Sequence, residues 1–485
     1  MEKENTVGID NPNVRSAFDP ENFRRMGHRA VDLLADHLCE AQADGIMPAI
    51  PWRNPEEMET AWPSEFPDEG TEDLVTFLSK VVAASTHLQH PRYMGHQVSA
   101  PLPMAALCDL TAGVLNSGTV VYEMGPAGTG MEHAVTQWMA RQVGFGSDAD
   151  GVLTSGGSLA NLTALLAARQ VQTARSAGRP PALLVSDQAH YSVLRSVRAM
   201  GWGNEGAEIV PTDEVYHLRT DLLKERFSAA EARGRCVIGV VASACSTACG
   251  AYDNLNAVAD FSERHGLWMH VDAAHGGSAL LSKPYRHFLS GIERADSVTW
   301  DAHKMMMIPG LVSAVLFRDG AHAYAAFEEE ASYLFARKGK QEAFNLGHRT
   351  LECTKPMLAL KVYATLRCHG TRLFGEHVTS RYTIARRFAE MLDAADDFEV
   401  PVRPESNVVC FRYRPDNAPA DMDAFQSAIR RVLIEDGRFY IVQTQLKTGL
   451  HLRVTLINPF TNETHLVALL TAIRVAGQRV MGSGA

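Results

Sequence analysis

The sequence predicts an α/β fold with a mainly parallel sheet. Between about His90 and Arg318, short runs rich in Val, Ile and Leu alternate with longer helical segments. Continuously apolar short strands separated by helices are typical of βαβ crossovers, in which helices cover both faces of the sheet. The predicted strands are Gly151–Thr154, Ala182–Ser186, Val237–Ser243, Trp268–Val271, Ser297–Trp300 and Val312–Phe317.

The two flanking regions have different patterns. Before the sheet, Phe23 to Ala43 carries apolar residues at helical spacing, which predicts either an arm that packs on a partner subunit or a plain surface helix. After it, a long helical stretch around Lys355 to Asp393 leads into an α+β region. Its strands are predicted at Phe398–Val400, Asn407–Tyr413, Tyr440–Gln445 and Leu450–Leu456, and its helices at Met422–Glu435 and Asn462–Val480. We therefore expect an N-terminal helical segment, a large domain and a small C-terminal domain at residues 1–89, 90–360 and 361–485.

Composition excludes several classes of function. The 485 residues carry a formal net charge of −10 without a Lys/Arg-rich run, which disfavours nucleic acid and anionic membranes as partners. The polar N-terminus does not have the pattern of a secretory signal, and the most apolar stretch, Cys236 to Tyr252, is too short for a membrane span. The eight cysteines are scattered, and beside the Cys245/Cys249 pair there is no second pair at zinc-ligand spacing. We expect a cytoplasmic protein that binds no metal.

The first motif is a small-residue turn between a strand and a helix. Ser155, Gly156, Gly157 and Ser158 follow the strand, and apolar residues then recur at helical spacing. Such a turn exposes backbone N–H groups at the positive end of the helix dipole, where phosphate binds readily. By itself the motif is equally compatible with a plain turn. Asn161-Leu162-Thr163 in this helix is formally a glycosylation sequon, and we interpret that match as accidental.

Two further motifs place ionisable residues beside apolar strands. Asp272 ends one strand, at the edge where α/β proteins bind ligands, although it could also be a structural cap. Lys304 lies between apolar Trp300 and Met305–Ile308, and burial there would lower the pKa of its amine and make it nucleophilic. The alternative is a lysine whose amine reaches solvent from a helix end.

The three motifs together match the needs of pyridoxal 5′-phosphate (PLP). Its phosphate binds at a helix N-terminus, its pyridine nitrogen is kept protonated by a carboxylate, and its aldehyde bonds to a lysine. Turn, Asp272 and Lys304 occur in that order along the chain. The sequence therefore predicts a PLP enzyme.

The chain resembles the group II PLP-dependent amino-acid decarboxylases from about His90 to the C-terminal helix. This family includes the glutamate, cysteine-sulfinate, 2,4-diaminobutyrate and aromatic amino-acid decarboxylases. The motifs that carry the resemblance are His90-Pro91-Arg92-Tyr93, Tyr122-Glu123-Met124-Gly125-Pro126, His270-Val271-Asp272-Ala273-Ala274 and Asp296-Ser297-Val298-Thr299-Trp300-Asp301-Ala302-His303-Lys304. Their wording is closer to the acidic-substrate and diaminobutyrate branches than to the aromatic branch.

The resemblance implies a PLP fold-type I homodimer with a seven-stranded large-domain sheet and active sites at the subunit interface. It implies that Lys304 bonds to the cofactor, that Asp272 pairs with its ring nitrogen and that His190 stacks on the ring. The other cofactor-binding positions that it implies are Ser155, Gly156, Gly157, Ser158, Thr247, Ala274 and His303. It also implies that Arg453 holds the substrate α-carboxylate and that Gln97 lies at the substrate end of the pocket.

Three positions depart from the family pattern. Phe344 falls where a mobile loop, here 336–346, supplies a tyrosine that is thought to protonate Cα, and a phenyl ring cannot donate a proton. Asp301 replaces an Asn near the phosphate, and its carboxylate would repel phosphate unless it is paired or points away. His275 replaces a Tyr or Trp in the pocket wall, where it either favours a polar or anionic substrate when half-protonated or fills volume.

The expected reaction is decarboxylation of an L-amino acid to its amine and CO₂, with a small acidic or polar substrate slightly favoured. One alternative is decarboxylation with oxidative deamination that releases an aldehyde, which in the aromatic branch accompanies Phe at the position of Phe344. Another is an aminotransferase on the same fold. A catalytically silent binding protein is a further alternative, against which the complete set of Lys304, Asp272, His190 and Arg453 argues.

Overall fold

The computed structural model describes residues 12–327 and 344–482. Within them the large domain is built on a seven-stranded sheet with the order β1-β7-β6-β5-β4-β2-β3. Its strands are β1 (Asp150–Thr154), β2 (Pro181–Ser186), β3 (Ala207–Val210), β4 (Cys236–Ser243), β5 (Trp268–Asp272), β6 (Ser297–Asp301) and β7 (Ser313–Phe317). Neighbouring strands pair in parallel except that β7 runs antiparallel to both β1 and β6. The predicted seven-stranded, mainly parallel sheet is confirmed.

Every residue of β4, β5, β6 and β7 is buried, which explains why these strands are recognisable as continuous apolar runs. Strand β3 was missed by the sequence analysis. It is a four-residue edge strand with Glu208 inside it, and Ile209 is 40% exposed. A short edge strand that carries a charge lacks the apolar run by which a central strand is detected.

Helices cover the sheet and form the N-terminal segment. They are α1 (Pro12–Ala17), α2 (Pro20–Gln42), α3 (Pro55–Ala61), α4 (Leu74–Ala84), α5 (Pro103–Leu115), α6 (Pro126–Val143), α7 (Gly157–Val171), α8 (Thr173–Ser176), α9 (Tyr191–Ala199), α10 (Leu223–Ala232) and α11 (Leu255–His265). Helix α7 is the one that matters most for function, because it starts directly after the turn that follows β1.

The C-terminal region forms a second, antiparallel sheet with the order β10-β11-β9-β8. Its strands are β8 (Phe398–Glu399), β9 (Val408–Tyr413), β10 (Val442–Leu446) and β11 (Gly449–Thr455). The helices of this half are α12 (Ala359–His369), α13 (Arg372–Asp393), α14 (Met422–Asp436) and α15 (Glu463–Gly482). The long helical stretch predicted around Lys355 to Asp393 is divided at Gly370, whose φ of +76° is a conformation that glycine adopts without strain. The α+β region is confirmed, whereas the domain limits at residues 89 and 360 stay predictions.

Candidate active site

A cavity of about 290 Å³ lies at the carboxyl ends of the central strands. This edge of a parallel sheet is the usual ligand site of α/β proteins. The predicted residues that line it are Gln97, Ser155, Gly156, Gly157, Ser158, His190, Thr247, Asp272, Ala274, His275, His303 and Lys304. The structure thus brings together residues that are separated by up to two hundred positions in the chain.

The small-residue turn forms one end of the cavity. Gly156 has a φ of +129°, and α7 begins at Gly157 without a side-chain cap, so its N-terminal N–H groups are left for a ligand. A Cβ on Gly157 would lie 3.0 Å from Asp301 Oδ1, so a larger residue there would press on this carboxylate. The Ser155 hydroxyl donates a hydrogen bond of 2.8 Å to Glu352 Oε1.

Asp272 is oriented by hydrogen bonds from its own chain. Asn161 Nδ2 donates to Asp272 Oδ2 at 2.8 Å and to Ser192 Oγ at 3.0 Å, and the Ala274 N–H donates to Asp272 Oδ1 at 3.2 Å. The amide oxygen of Asn161 in turn accepts from His270 Nε2 at 3.1 Å. Both carboxylate oxygens of Asp272 are therefore held, and the strand-end acid is part of a buried network.

His190 is the N-terminal cap of α9. Its Nδ1 accepts from the Ser192 N–H at 3.3 Å and lies 2.7 Å from Ser192 Oγ, which places the proton of the neutral ring on Nε2. Burial lowers the pKa of His190, although the Asp272 carboxylate acts in the opposite direction. The ring is therefore neutral at pH 7.

Lys304 does not have the lowered pKa that its apolar sequence neighbours predict. Its side chain is 19% exposed, and its Nζ lies 2.9 Å from Asp301 Oδ2. Burial lowers the pKa of Lys304, but the carboxylates of Asp301 and Asp272 outweigh burial and raise it above the ordinary value. That expectation was wrong because the three-dimensional neighbours of the amine, and not its apolar neighbours in sequence, decide its charge.

The Asp301 carboxylate is paired with Lys304. The sequence analysis expected a carboxylate near the phosphate to be either paired or turned away from it, and the first of these holds. His303 Nε2 lies 3.7 Å from its Oδ2, and His303 Nδ1 lies 2.9 Å from the Val312 carbonyl oxygen. Burial alone would raise the pKa of Asp301, but Lys304 and His303 lower it. The charge of Asp301 is thus balanced within the site.

The substrate end, which we define as Gln97, His275 and Arg453, contains polar atoms without partners. Within the described residues, Gln97 Nε2, His275 Nδ1 and Arg453 Nε are buried and make no hydrogen bond. The His275 Nε2 is 2.7 Å from Asn407 Oδ1. Arg453, on β11, does not line the cavity itself, although its charge reaches His275. A polar ligand at this end would find unused hydrogen-bonding groups.

His275 does not act by half-protonation. Burial, with the nearby positive charges of Lys304 and Arg453, lowers its pKa to about 3. The ring is neutral at pH 7, so the suggestion that a partly charged His275 attracts an anionic substrate was wrong. A neutral, 2% exposed imidazole can still hydrogen-bond a substrate or fill volume.

Phe344 lies outside the cavity of its own chain. Its ring is 5.9 Å from the ring of Tyr122 and 6.0 Å from that of His133, and the residue is 39% exposed. Most of the predicted loop, at 336–343, lies outside the described residues.

Asn161 and Ser192 were missed by the sequence analysis. Asn161 is 1% exposed and lies on the face of α7 that also buries Ala160, Ala164 and Leu165. An amide among alanines on a buried helix face needs hydrogen-bond partners, and this is the signal that could have identified it.

These residues fit PLP. The capless N-terminus of α7 suits a phosphate, the Asp272 carboxylate suits a protonated ring nitrogen, and the Lys304 amine lies at the cavity wall, where it can bond to an aldehyde once it gives up its proton. The fold and this set of groups define the class of PLP-dependent enzymes.

Comparisons with known proteins give the same class and a family. Residues 55–414 match the family model of the pyridoxal-dependent decarboxylase conserved domain. The chain is 28% identical to an aromatic-L-amino-acid decarboxylase of Bacillus atrophaeus over 95% of this chain and 96% of the relative. It is 32% identical to a cysteine sulfinic acid decarboxylase of Rattus norvegicus over 82% of each. The crystal structure of Oryza sativa TDC with PLP and tryptamine has a TM-score of 0.88 at 25% identity and covers 96% of this chain and 99% of that chain.

The chain belongs to the pyridoxal-dependent decarboxylase family. It is a PLP-dependent carboxy-lyase that acts on an amino acid. Among the helices that the structure describes, none is long and apolar enough to cross a bilayer. The described residues likewise contain no group of three or more His, Cys, Asp or Glu side chains that could hold a metal ion.

Proposed function

We propose that this enzyme converts a small L-amino acid with an acidic or polar side chain into its amine and CO₂. The observation that supports this substrate class is the polar character of the substrate end, where, within the described residues, Gln97 Nε2 and His275 Nδ1 are buried and have no hydrogen-bond partner. An apolar side chain would leave these two atoms unpaired, which costs about 1–3 kcal/mol for each. The names of the relatives include acidic, sulfinic, diamino and aromatic substrates, so the substrate end is the part that has to discriminate among them.

Each site residue has a proposed task. Lys304 holds the cofactor covalently, and the backbone N–H groups of the turn at Gly156 and Gly157 hold its phosphate. When bound, PLP supplies an electron sink for the pair of electrons in the breaking Cα–carboxylate bond. Asp272, fixed by Asn161, keeps the ring nitrogen protonated. Ser155, Ser158, Thr247, Ala274 and His303 complete the cofactor end.

Substrate orientation is assigned to Arg453, a residue that is 6% exposed and whose guanidinium is well suited to an α-carboxylate. Gln97 and His275 contact the substrate side chain. The proton that replaces CO₂ at Cα must come from the chain. His190 Nε2 carries a proton at the cavity wall, and we assign this transfer to it.

An aldehyde product is the second candidate, and Phe344 is the observation that favours it. Its phenyl ring packs against Tyr122 and His133 and cannot deliver a proton. If protonation at Cα is slow, molecular oxygen can compete, and the products are then an aldehyde, ammonia and hydrogen peroxide. Product analysis in air separates the two candidates.

We also propose a homodimer in the cytoplasm. Helices α2 and α5 carry exposed apolar side chains. Phe23 and Leu34 are 51% and 48% exposed, and Leu107 and Val114 are 52% and 62% exposed. An apolar surface of this kind is typical of an interface, and a second copy would also bring residues to the substrate end. All eight cysteines are free, as expected in a reducing compartment.

The test is an absorption spectrum of the purified protein with PLP, followed by product analysis. Wild type and Lys283→Ala, which removes an exposed lysine, should show the visible band of bound PLP, and Lys304→Ala should lack it. Incubation with acidic, sulfinic, diamino and aromatic L-amino acids should yield the amine from an acidic or polar one. Turnover of aromatic substrates alone would contradict the proposed substrate class, and aldehyde with peroxide would establish the second candidate.

A further inference from the structure

Asp301 is a buried carboxylate placed between the cofactor lysine and the phosphate turn. It is the last residue of β6 and is 1% exposed. Its Oδ2 lies 2.9 Å from Lys304 Nζ and 3.7 Å from His303 Nε2, and the Ser313 side chain also stabilises the charged carboxylate. The ion pair with Lys304 is the shorter of these two charged contacts.

The surroundings keep Asp301 charged. A Cβ on Gly157 would meet its two oxygens at 3.0 and 3.1 Å, so the carboxylate lies directly beside the N-terminus of the 15-residue helix α7. The positive end of a helix dipole stabilises an anion there. Asp301 thus shares with the proposed phosphate site the same helix N-terminus.

The groups that face the Lys304 amine come from several elements. Asp301 is the closest, at the end of β6, and Asp272 acts from the end of β5. Cys245, His190 and His275 also interact with its charge, and His303 faces the same Asp301 carboxylate at 3.7 Å. The two carboxylates prevail over burial and favour the ammonium form, with Asp301 contributing most.

We propose that Asp301 is a positioning residue that docks the Lys304 ammonium beside the phosphate turn whenever Lys304 is not bonded to the cofactor. The proposal rests on the role of Lys304 proposed above. It has two consequences: attachment of the cofactor is slowed at neutral pH, and the lysine released by an incoming substrate is held away from the reacting carbon.

The chemistry of attachment makes the docking measurable. The unprotonated Lys304 nitrogen forms a bond to the aldehyde carbon, the aldehyde oxygen leaves as water, and the proton of the ammonium goes to solvent beforehand. Because only the neutral amine reacts, the attachment rate is proportional to the fraction of Lys304 that is neutral. In wild type the rate should rise about tenfold per pH unit up to at least about pH 9, since the pKa of Lys304 lies above the ordinary value of about 10.4.

The experiment mixes full-length apoenzyme with excess PLP between pH 6.5 and about 9.5. Attachment is followed by the absorption band and by borohydride trapping with mass analysis of the Lys304 peptide. Asp301→Asn keeps the shape of the side chain but removes its charge. It should attach PLP at least about tenfold faster at pH 7.5, because the pH dependence of its attachment rate moves about one pH unit or more to lower pH. The matched control is Glu352→Gln, which removes a charge bonded to Ser155 in the same turn. The pH dependence of PLP attachment in this control should coincide with that of wild type.

The outcomes are distinct. Coincident profiles for Asp301→Asn and wild type would overturn the docking role while leaving Lys304 as the cofactor lysine. An equal shift of the pH dependence in Glu352→Gln would mean that any negative charge near the phosphate turn slows attachment. That result would also overturn the docking role of Asp301. Should Asp301→Asn not fold, the wild-type profile decides by itself, since levelling below pH 9 contradicts a docked ammonium. A wild type that never attaches PLP at Lys304 would remove both this inference and the proposed function.

Discussion

The two ends of the cavity differ in how completely their polar atoms are paired. At the ring end, which we define as Asp272, Asn161, His270 and Ser192, the hydrogen bonds that join these side chains are 2.8–3.1 Å long. At the substrate end, Gln97, His275 and Arg453 each keep a buried nitrogen that has no partner within the described residues. The ring end is therefore organised before any ligand binds, whereas the substrate end has hydrogen-bonding groups left for a ligand. Cofactor binding and substrate choice should accordingly respond to different substitutions.

The largest effect is expected from Asp272→Ala at the ring end. Removing the carboxylate takes away the charge that stabilises a protonated ring nitrogen and leaves Asn161 Nδ2 with Ser192 Oγ as its acceptor. We expect kcat to fall by about 10³-fold. Steady-state kinetics with saturating PLP measures it, and retention of kcat within about tenfold would contradict the assigned role.

Arg453→Met should affect the substrate end alone. The loss of a charge-assisted contact to the α-carboxylate costs about 1.5–3 kcal/mol, which corresponds to about 10- to 160-fold in kcat/KM. The affinity for PLP should stay unchanged, because within the described residues Arg453 does not line the cofactor cavity. A parallel loss of PLP affinity, measured by equilibrium titration, would mean that the two ends are not independent.

Asn161→Ala tests the ring end, where the expected loss is in the affinity for PLP. The variant removes the donor to Asp272 Oδ2 and to Ser192 Oγ, and we expect PLP to bind about tenfold more weakly, equivalent to about 1.4 kcal/mol. Thr163→Ala is the matched control on α7, since its buried hydroxyl makes no hydrogen bond within the described residues. That control should bind PLP within about twofold of wild type. Equal losses in both variants would indicate a general defect of the helix.

A separate effect, on stability and not on binding or turnover, is a pH dependence shared by the two ends. His270 and His275 have pKa values of about 4 and about 3, lowered by burial, against about 6.5 in the unfolded chain. The unfolded state therefore binds more protons below pH 6.5, and stability is lost as pH falls from 6.5 towards 4, by about 1.4 kcal/mol per pH unit for each residue. Urea unfolding of wild type and His275→Gln between pH 7 and pH 5 measures it. An unchanged slope in the variant would contradict a neutral His275.

Much of the large domain could be predicted because its central strands are buried on both faces. Their apolar runs stand out along the chain, and the strand-end Asp272 and the turn at Gly156 follow directly from them. Strand β3 could not be found in this way, since it lies at the sheet edge and contains Glu208. His190 and Arg453 were recognisable only through resemblance to a family, because an isolated His or Arg has no local pattern.

The hydrogen-bond network around Asn161 could not be predicted from the sequence, for a different reason. Asn161, Asp272 and Ser192 are distant in sequence and meet only when α7, β5 and α9 pack together. The same holds for the unpaired atoms of the substrate end, where β11 of the small domain places Arg453 within electrostatic reach of His275.

The sequence by itself determined the strand-turn-helix unit, the acid at the end of β5 and the lysine beyond β6, since each depends on residues adjacent in the chain. Only the tertiary structure decided the charge states on which the chemistry depends. The sequence predicted a lowered pKa for Lys304 from its apolar neighbours, and the fold reversed it by placing the Asp301 carboxylate 2.9 Å away. A pKa follows from burial and from the distances between charges, and those distances are set by packing.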